Sequence, residues 1–214
     1  MLTVPLVIIG AGGFGREALD VVAAMNETHR NRFEIVGVVD SAPSLVNISR
    51  LEDRGISYLG TETEWLSNGN DASFVVGVGD PIMRSTIAAR WIDAGRSPVT
   101  LVHPSAIVGG MSTIGAGSVV CAGVQISTNV RLGEYVHLNP NVTVGHDSAL
   151  ERCVSINPGA IVSGEVQIGT GSLVGAGAVI LAGLNIGRDS VVGAAACVVR
   201  DVEASTVVKG VPAR

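Results

Sequence analysis

Of the four histidines in this 214-residue chain, His146 has the setting best suited to proton transfer: it follows Val144-Gly145 and directly precedes Asp147. A carboxylate beside an imidazole fixes its tautomer and supports its charged form, and a ring titrating near ~6.5 is the natural base at neutral pH. Taken alone, in an arbitrary chain, a His-Asp pair is better explained as a solvated turn; an exposed corner of a long hexapeptide array reverses that preference. His137, just before the apolar Leu138, has two readings: it lines the same groove, or it packs against a neighbouring subunit. His29 reads as a surface residue and His103, in His-Pro-Ser-Ala, as structural. His137 and His146 are nine residues apart, and Cys121, Cys153 and Cys197 form neither a CxxC nor a pattern with histidine. No metal is expected, and the odd cysteine count fits buried thiols in a reducing compartment.

A second candidate site is the loop Gly10-Ala-Gly-Gly-Phe-Gly15, after the apolar run Leu6-Val-Ile-Ile9 and before helical spacing over Arg16–Met25 (Ala18, Leu19, Val22, Ala23). Backbone N–H groups at a helix N-terminus hold phosphate oxygens, and an acid ending the next strand, here Asp40, can accept from a ribose hydroxyl. Further strands are read at Ile35–Asp40, Ser73–Gly79 and Val99–Val102, with a helix opened by Pro81 and running through Ile87, Ala88 and Trp91 to Gly95. Strand, glycine turn, helix and strand make a βαβ unit, so residues 1–102 are expected to form a small half-Rossmann domain with a parallel sheet. It is half the size of a dinucleotide-binding domain and offers no acid or base for hydride transfer, which argues against nicotinamide chemistry.

From His103 the pattern changes. Every sixth residue from Val108 to Val198 is Val, Ile or Leu, sixteen in succession, and eight are followed by Gly, as at Gly109, Gly115 and Gly145. The residue four places after each aliphatic is small or aliphatic, for example Ser118, Val136 and Ser172. A period of six is neither helical nor a meander. It describes a solenoid of short flat strands and turns over residues 103–214, with the aliphatic inside and glycine expected to turn the corner. A narrow interior accounts for a chain that is 47% apolar yet holds only three Phe, two Trp and two Tyr.

Composition excludes other classes. Net charge is −5, and the 14 Lys and Arg residues are scattered, so no basic stripe exists to bind nucleic acid. Val166–Gly187 is uncharged and long enough to span a bilayer, but Gly, Ser, Thr and Ala recur in it with the period of six, so no membrane segment is expected. The N-terminal Met1-Leu-Thr-Val-Pro-Leu lacks a basic region and runs into the first strand, which reads as a cytoplasmic protein.

Residues 104–203 resemble the hexapeptide-repeat acyltransferases, and the closing Gly210-Val-Pro-Ala-Arg214 is similar to the Gly-x-Pro-Ala-Lys/Arg signature of that family. The resemblance implies a left-handed parallel β-helix of roughly five coils. With the glycine loop in front and Val-Gly-His-Asp within, the whole chain is similar to bacterial sugar O/N-acyltransferases: sialic acid O-acetyltransferases and N-acetyltransferases of nucleotide-linked 4-amino-sugars. For such a chain the resemblance implies an acetyl-CoA-dependent N-acetyltransferase of glycan biosynthesis. It implies His146 as the general base, with Asp147 as its acidic neighbour. It implies contacts of Gly12, Gly13, Phe14, Asp40, Ser41 and Gly79 with a UDP-, GDP- or dTDP-linked amino-sugar, and of Ser155, Gly164, Ala176 and Ala194 with acetyl-CoA between the prisms of a homotrimer. Some members carry a second histidine where this chain has Ser155. A sugar O-acetyltransferase and a non-catalytic nucleotide-sugar-binding scaffold remain the alternatives.

Overall fold

The computed structural model describes residues 3–29, 32–69 and 71–214. Its first part is a three-stranded parallel sheet in the order β2-β1-β3, formed by β1 (Val4–Ile9), β2 (Phe33–Val39) and β3 (Ser73–Val76). Helix α1 (Gly13–His29) follows β1 directly. Two short helices, α2 (Leu45–Glu52) and α3 (Glu62–Ser67), were not read from the sequence. Their apolar repeats are too short to show a period, and their signals lie in the caps. The Ser44 hydroxyl accepts from the Asn47 amide, and Thr61 with Glu64 forms a capping box. Helix α4 (Pro81–Asp93) starts as expected, with proline in its first turn and the Asp80 side chain accepting from the Met83 amide.

The strand expected at Val99–Val102 divides between two sheets. Phe74 donates to the Ser97 carbonyl and accepts from the Val99 amide, whereas β4 (Leu101–Val102) pairs with Val119–Val120 in the coil. The chain therefore passes from one sheet to the other within a few residues.

From β4 to β21 (Val207–Val208) the chain is eighteen two-residue strands in three parallel sheets, of seven, six and five strands. That exceeds the roughly five coils expected, because Leu101–Val102 and Val207–Val208 extend the array at its two ends. The first sheet holds strands such as Val119–Val120, His137–Leu138 and Ser155–Ile156. The second holds Thr143–Val144 and Ile161–Val162, and the third Ala149–Leu150 and Gln167–Ile168. The segment that invited a membrane reading supplies four of these strands, from Gln167–Ile168 to Asn185–Ile186. Among the described residues no helix is long and apolar enough to cross a membrane.

Inside, the aliphatic ladder from Val120 to Val198 is buried in one continuous cluster. Each such side chain contributes about 1.5–3 kcal/mol on burial. Serines four places after the aliphatic stitch successive coils: the Ser118 hydroxyl donates to the Gly133 carbonyl at 3.0 Å and accepts from the Val136 amide at 3.0 Å. The glycines after the aliphatics do not turn the corner as expected. A Cβ on Gly115 would lie 2.4 Å from the Gly133 carbonyl carbon, so glycine is needed there because adjacent coils touch backbone to backbone. The left-handed residue comes two places later, and its φ is positive at every sixth position from Met111 to Ala195, whether or not the residue is glycine.

The α/β unit packs on the first sheet of the prism. Leu101, Val119 and Cys121 share a core with Leu6, Ala18 and Val22, and Tyr135 and Cys153 share another with Phe74 and Trp91. At the far end the C-terminal segment folds back: the Ala213 amide donates to the Cys197 carbonyl and Ala213 is buried.

Candidate functional site

His146 and Asp147 form the corner between the second and third sheets, with Thr143–Val144 before them and Ala149–Leu150 after. Asp147 occupies the left-handed position, φ +60°. Its carboxylate is held on both sides: Oδ2 lies 2.7 Å from His146 Nδ1, and Oδ1 accepts from Asn129 Nδ2 at 2.6 Å. Asn129 is one eighteen-residue coil earlier in the same column. Its amide, and then the His146 ring, hold the Asp147 carboxyl below the usual carboxylate range. With Nδ1 directed at Asp147, Nε2 remains for a substrate proton, and more than half of the imidazole surface is open to solvent (56%). One coil later lies Gly164, where an added Cβ would come within 2.7 Å of the imidazole Cε1 and Nε2, so the ring in this position rests directly on Gly164.

Glu165, next to Gly164, brings a third ligand-type atom within 4.8 Å of those of His146 and Asp147, all three groups being exposed. His103 serves a turn, its Nδ1 accepting from the Ser105 amide at 3.0 Å. The His29 side chain lies outside the described residues. Cys121 and Cys153 are buried free thiols, and burial raises Cys121 to about 12; Cys197 is only half-buried.

The glycine loop opens on a cavity of about 330 Å³. It brings together Gly12, Gly13, Phe14, Asp40, Ser41 and Gly79, with Glu62, Met83 and Ile87 as further walls. The N-terminus of α1 faces it through Gly12 and Gly13, a place suited to phosphate oxygens. Asp40 also shapes the loop, because Oδ2 accepts from the Ala11 amide at 2.8 Å and Oδ1 from the Ala42 amide at 2.9 Å.

Beneath the cavity, Arg84 of α4 is fully buried and ties the two parts of the chain together. It donates to the carbonyls of Val78, Gly79, Tyr135 and Cys153 and to the Ser155 hydroxyl, and Nη1 lies 3.1 Å from His137 Nδ1. Burial pulls the guanidinium down to about 10, against smaller opposing effects of Cys153 and Asp80. His137 stacks on Phe14 with ring centroids 4.3 Å apart. Burial first, then the Arg84 charge, hold its ring well below the ordinary imidazole value, against a smaller opposing effect of the Val76 backbone. Arg84 carries no sequence motif, and only the packing reveals its part.

Two expectations are corrected here. His137 lines no outer groove, because the chain's own α/β unit covers it. Ser155 is not positioned for a thioester: it is 1% exposed, and its hydroxyl donates to the Gly79 carbonyl at 2.9 Å while accepting from Arg84. The other residues named for acetyl-CoA do not converge within one chain. Gly164 shares the His146 edge, whereas Ala176 and Ala194 are exposed on the edge between the first and second sheets.

In a three-sided prism the edge between the second and third sheets is opposite the first. The cavity adjoins the first sheet through Phe14 and Gly79. His146 therefore points away from the cavity of its own chain.

The family model of the PglD N-terminal domain matches residues 5–91. GDP-perosamine N-acetyltransferase of Escherichia coli O157:H7 is 30% identical over 142 residues, 65% of this chain and 61% of that protein, so the match spans less than two thirds of that relative. Among solved structures, the acetyltransferase domain of PglB from Neisseria gonorrhoeae FA1090 is 30% identical with a TM-score of 0.85, over 98% of each chain; the same domain is also known in complex with acetyl coenzyme A. PerB from Caulobacter crescentus, in complex with CoA and GDP-perosamine, is 29% identical with a TM-score of 0.86, over 98% of this chain and 96% of that one.

Proposed function

Because the chain belongs to the hexapeptide-repeat sugar acetyltransferases, whose coil is a left-handed β-helix, we propose that it acetylates the amine of a nucleotide-linked 4-amino-sugar with acetyl-CoA. The observation that carries this reading is the exposed imidazole held by Asp147 at 2.7 Å, with Nε2 free for a substrate proton. The glycine-loop cavity, on the opposite side of the chain from His146, is the nucleotide seat in this reading.

Transfer is direct. The amine nitrogen attacks the thioester carbonyl carbon, the C–N bond forms as the C–S bond breaks, and His146 removes the proton that makes nitrogen positive. The leaving thiolate takes that proton up. Backbone N–H groups of the coil stabilise the developing oxyanion. No acyl-enzyme is needed: Cys121 and Cys153 are buried, and the Ser155 hydroxyl is committed to Gly79 and Arg84. Gly164, Ala176 and Ala194 line the path of acetyl-CoA, and their small side chains leave room along both edges.

Since His146 is turned from its own cavity, the base comes from a second copy. A cyclic trimer seats each cavity against the next protomer's His146 edge and repeats the same contact until it closes.

The test is turnover with acetyl-CoA and nucleotide-linked amino-sugars, with the product identified as amide or ester. His146→Ala is expected to lower turnover by about 10²- to 10⁴-fold while acetyl-CoA binding persists. Near-normal turnover in that variant removes His146 from the mechanism, and an ester product replaces N- with O-acetylation.

A further inference from the structure

Glu62 opens a helix of only six residues, and nothing in its sequence setting marks it as functional. It lines the cavity together with Ser41, yet it is only 4% exposed. One carboxylate oxygen is occupied: Oε2 accepts from the Trp91 indole Nε1 at 2.9 Å and lies 3.7 Å from Arg90 Nη1. Among the described residues Oε1 meets only the Ser41 hydroxyl, at 3.4 Å. That is long for an O–H···O contact, which centres near ~2.7–2.8 Å. Oε1 is the oxygen next to Ser41, which lines the cavity, whereas Oε2 is held by Trp91, which does not. A buried carboxylate oxygen without a good donor calls for one from the ligand.

We propose that Glu62 reads the base of the nucleotide and selects guanine, which makes the substrate a GDP-linked amino-sugar. This deepens the acetyltransferase reading and rests on its placing of a nucleotide in the cavity. With the phosphates at Gly12 and Gly13 on the α1 N-terminus and the ribose by Asp40, the base reaches Ser41 and Glu62. Among the described residues the cavity wall holds no Lys, Arg or His, and Asp40 and Glu62 are its only ionisable side chains. Both Asp40 oxygens already serve backbone amides. Guanine presents two adjacent donors, N1–H and the N2 amino group, and beside them O6, an acceptor for the Ser41 hydroxyl. Uracil and thymine offer one N–H flanked by two carbonyls. Adenine and cytosine pair one amino donor with a ring-nitrogen lone pair, which a carboxylate repels.

Calorimetric titration of the full chain with GDP, IDP and UDP tests this. GDP is expected to bind on the order of 10- to 100-fold tighter than UDP. IDP lacks only the N2 amino group and should fall about tenfold below GDP. Glu62→Gln keeps an acceptor for the Trp91 N–H but turns an amide donor toward the cavity. It should abolish the preference for GDP and leave UDP binding within a few-fold of its original value. UDP binding as tightly as GDP, IDP matching GDP, or equal weakening of all three nucleotides in the variant each overturns the proposal. The GDP–IDP comparison needs no variant. Failure here is separable from failure of the acetyltransferase reading. Acetyl transfer onto a UDP-linked amino-sugar without GDP preference overturns the role of Glu62 alone. GDP preference with no acetyl transfer to any amino-sugar supports Glu62 and removes the activity.

Discussion

The orientation of the His146 imidazole depends on three neighbours, two of them one coil away: Asp147 at Nδ1, Asn129 behind that carboxylate, and Gly164 under the ring. The His-Asp pair was legible because its neighbours are adjacent in sequence. Asn129 could have been found by counting eighteen residues back from Asp147. Gly164, reached by the same count forward and named for acetyl-CoA, has a further duty as the floor of the imidazole. Glu62 had no such signal, since its position on the cavity wall depends on how α3 packs on α4. Asp147→Asn is expected to cut turnover by about 10- to 100-fold, the worth of a hydrogen bond to a charged group, with little change in acetyl-CoA binding. Turnover equal to that of the original chain would show that Asp147 does not orient the ring.

At the scale of the coil, the six-residue period was readable because each inward aliphatic meets its equivalents above and below. A misplaced residue would therefore leave a gap in a continuous ladder. The glycines were legible in position but not in purpose. Those after the aliphatics permit backbone contact between coils, and the left-handed corner is carried by whichever residue falls three places after the aliphatic. Gly177 and Ala195 occupy that corner in successive coils, with φ of +65° and +55°. A left-handed conformation costs a residue with a Cβ about 1–2 kcal/mol relative to glycine. Ala195→Gly should accordingly stabilise the protein by about 1 kcal/mol, and Gly177→Ala, which meets no atom within 4 Å, should destabilise it by a similar amount. Urea unfolding at neutral pH measures both, and equal signs would refute the account of the corner. Helices α2 and α3 escaped the periodic reading because one or two turns cannot display a period.

At the scale of the molecule, the outward face of the first sheet was the hardest part to read, since a solenoid repeat does not say which of its three faces another unit will cover. His137 and Ser155 look like groove residues in sequence, but both are buried with Arg84 under the α/β unit. That burial has a consequence for acid stability. The His137 ring is held neutral in the folded chain, so below about 6.5 the unfolded chain takes up a proton that the folded one refuses. Stability should thus fall as pH drops from about 6.5 toward the lower folded value, by up to ~1.4 kcal/mol per pH unit. His137→Asn, which can still accept from Arg84, should show a shallower loss between pH 7 and 5 in urea unfolding. Parallel curves would mean that the ring titrates normally in place.

In the trimer proposed above, the cavity and the imidazole of one site come from different protomers. Purified His146→Ala protein and a cavity variant such as Gly13→Trp, each inactive alone, can be mixed under conditions that exchange subunits and then assayed for acetyl transfer. Random assortment around a ring of shared sites predicts recovery to about one quarter of the original rate. Absence of recovery in mixtures shown to contain both chains would contradict a site built from two copies.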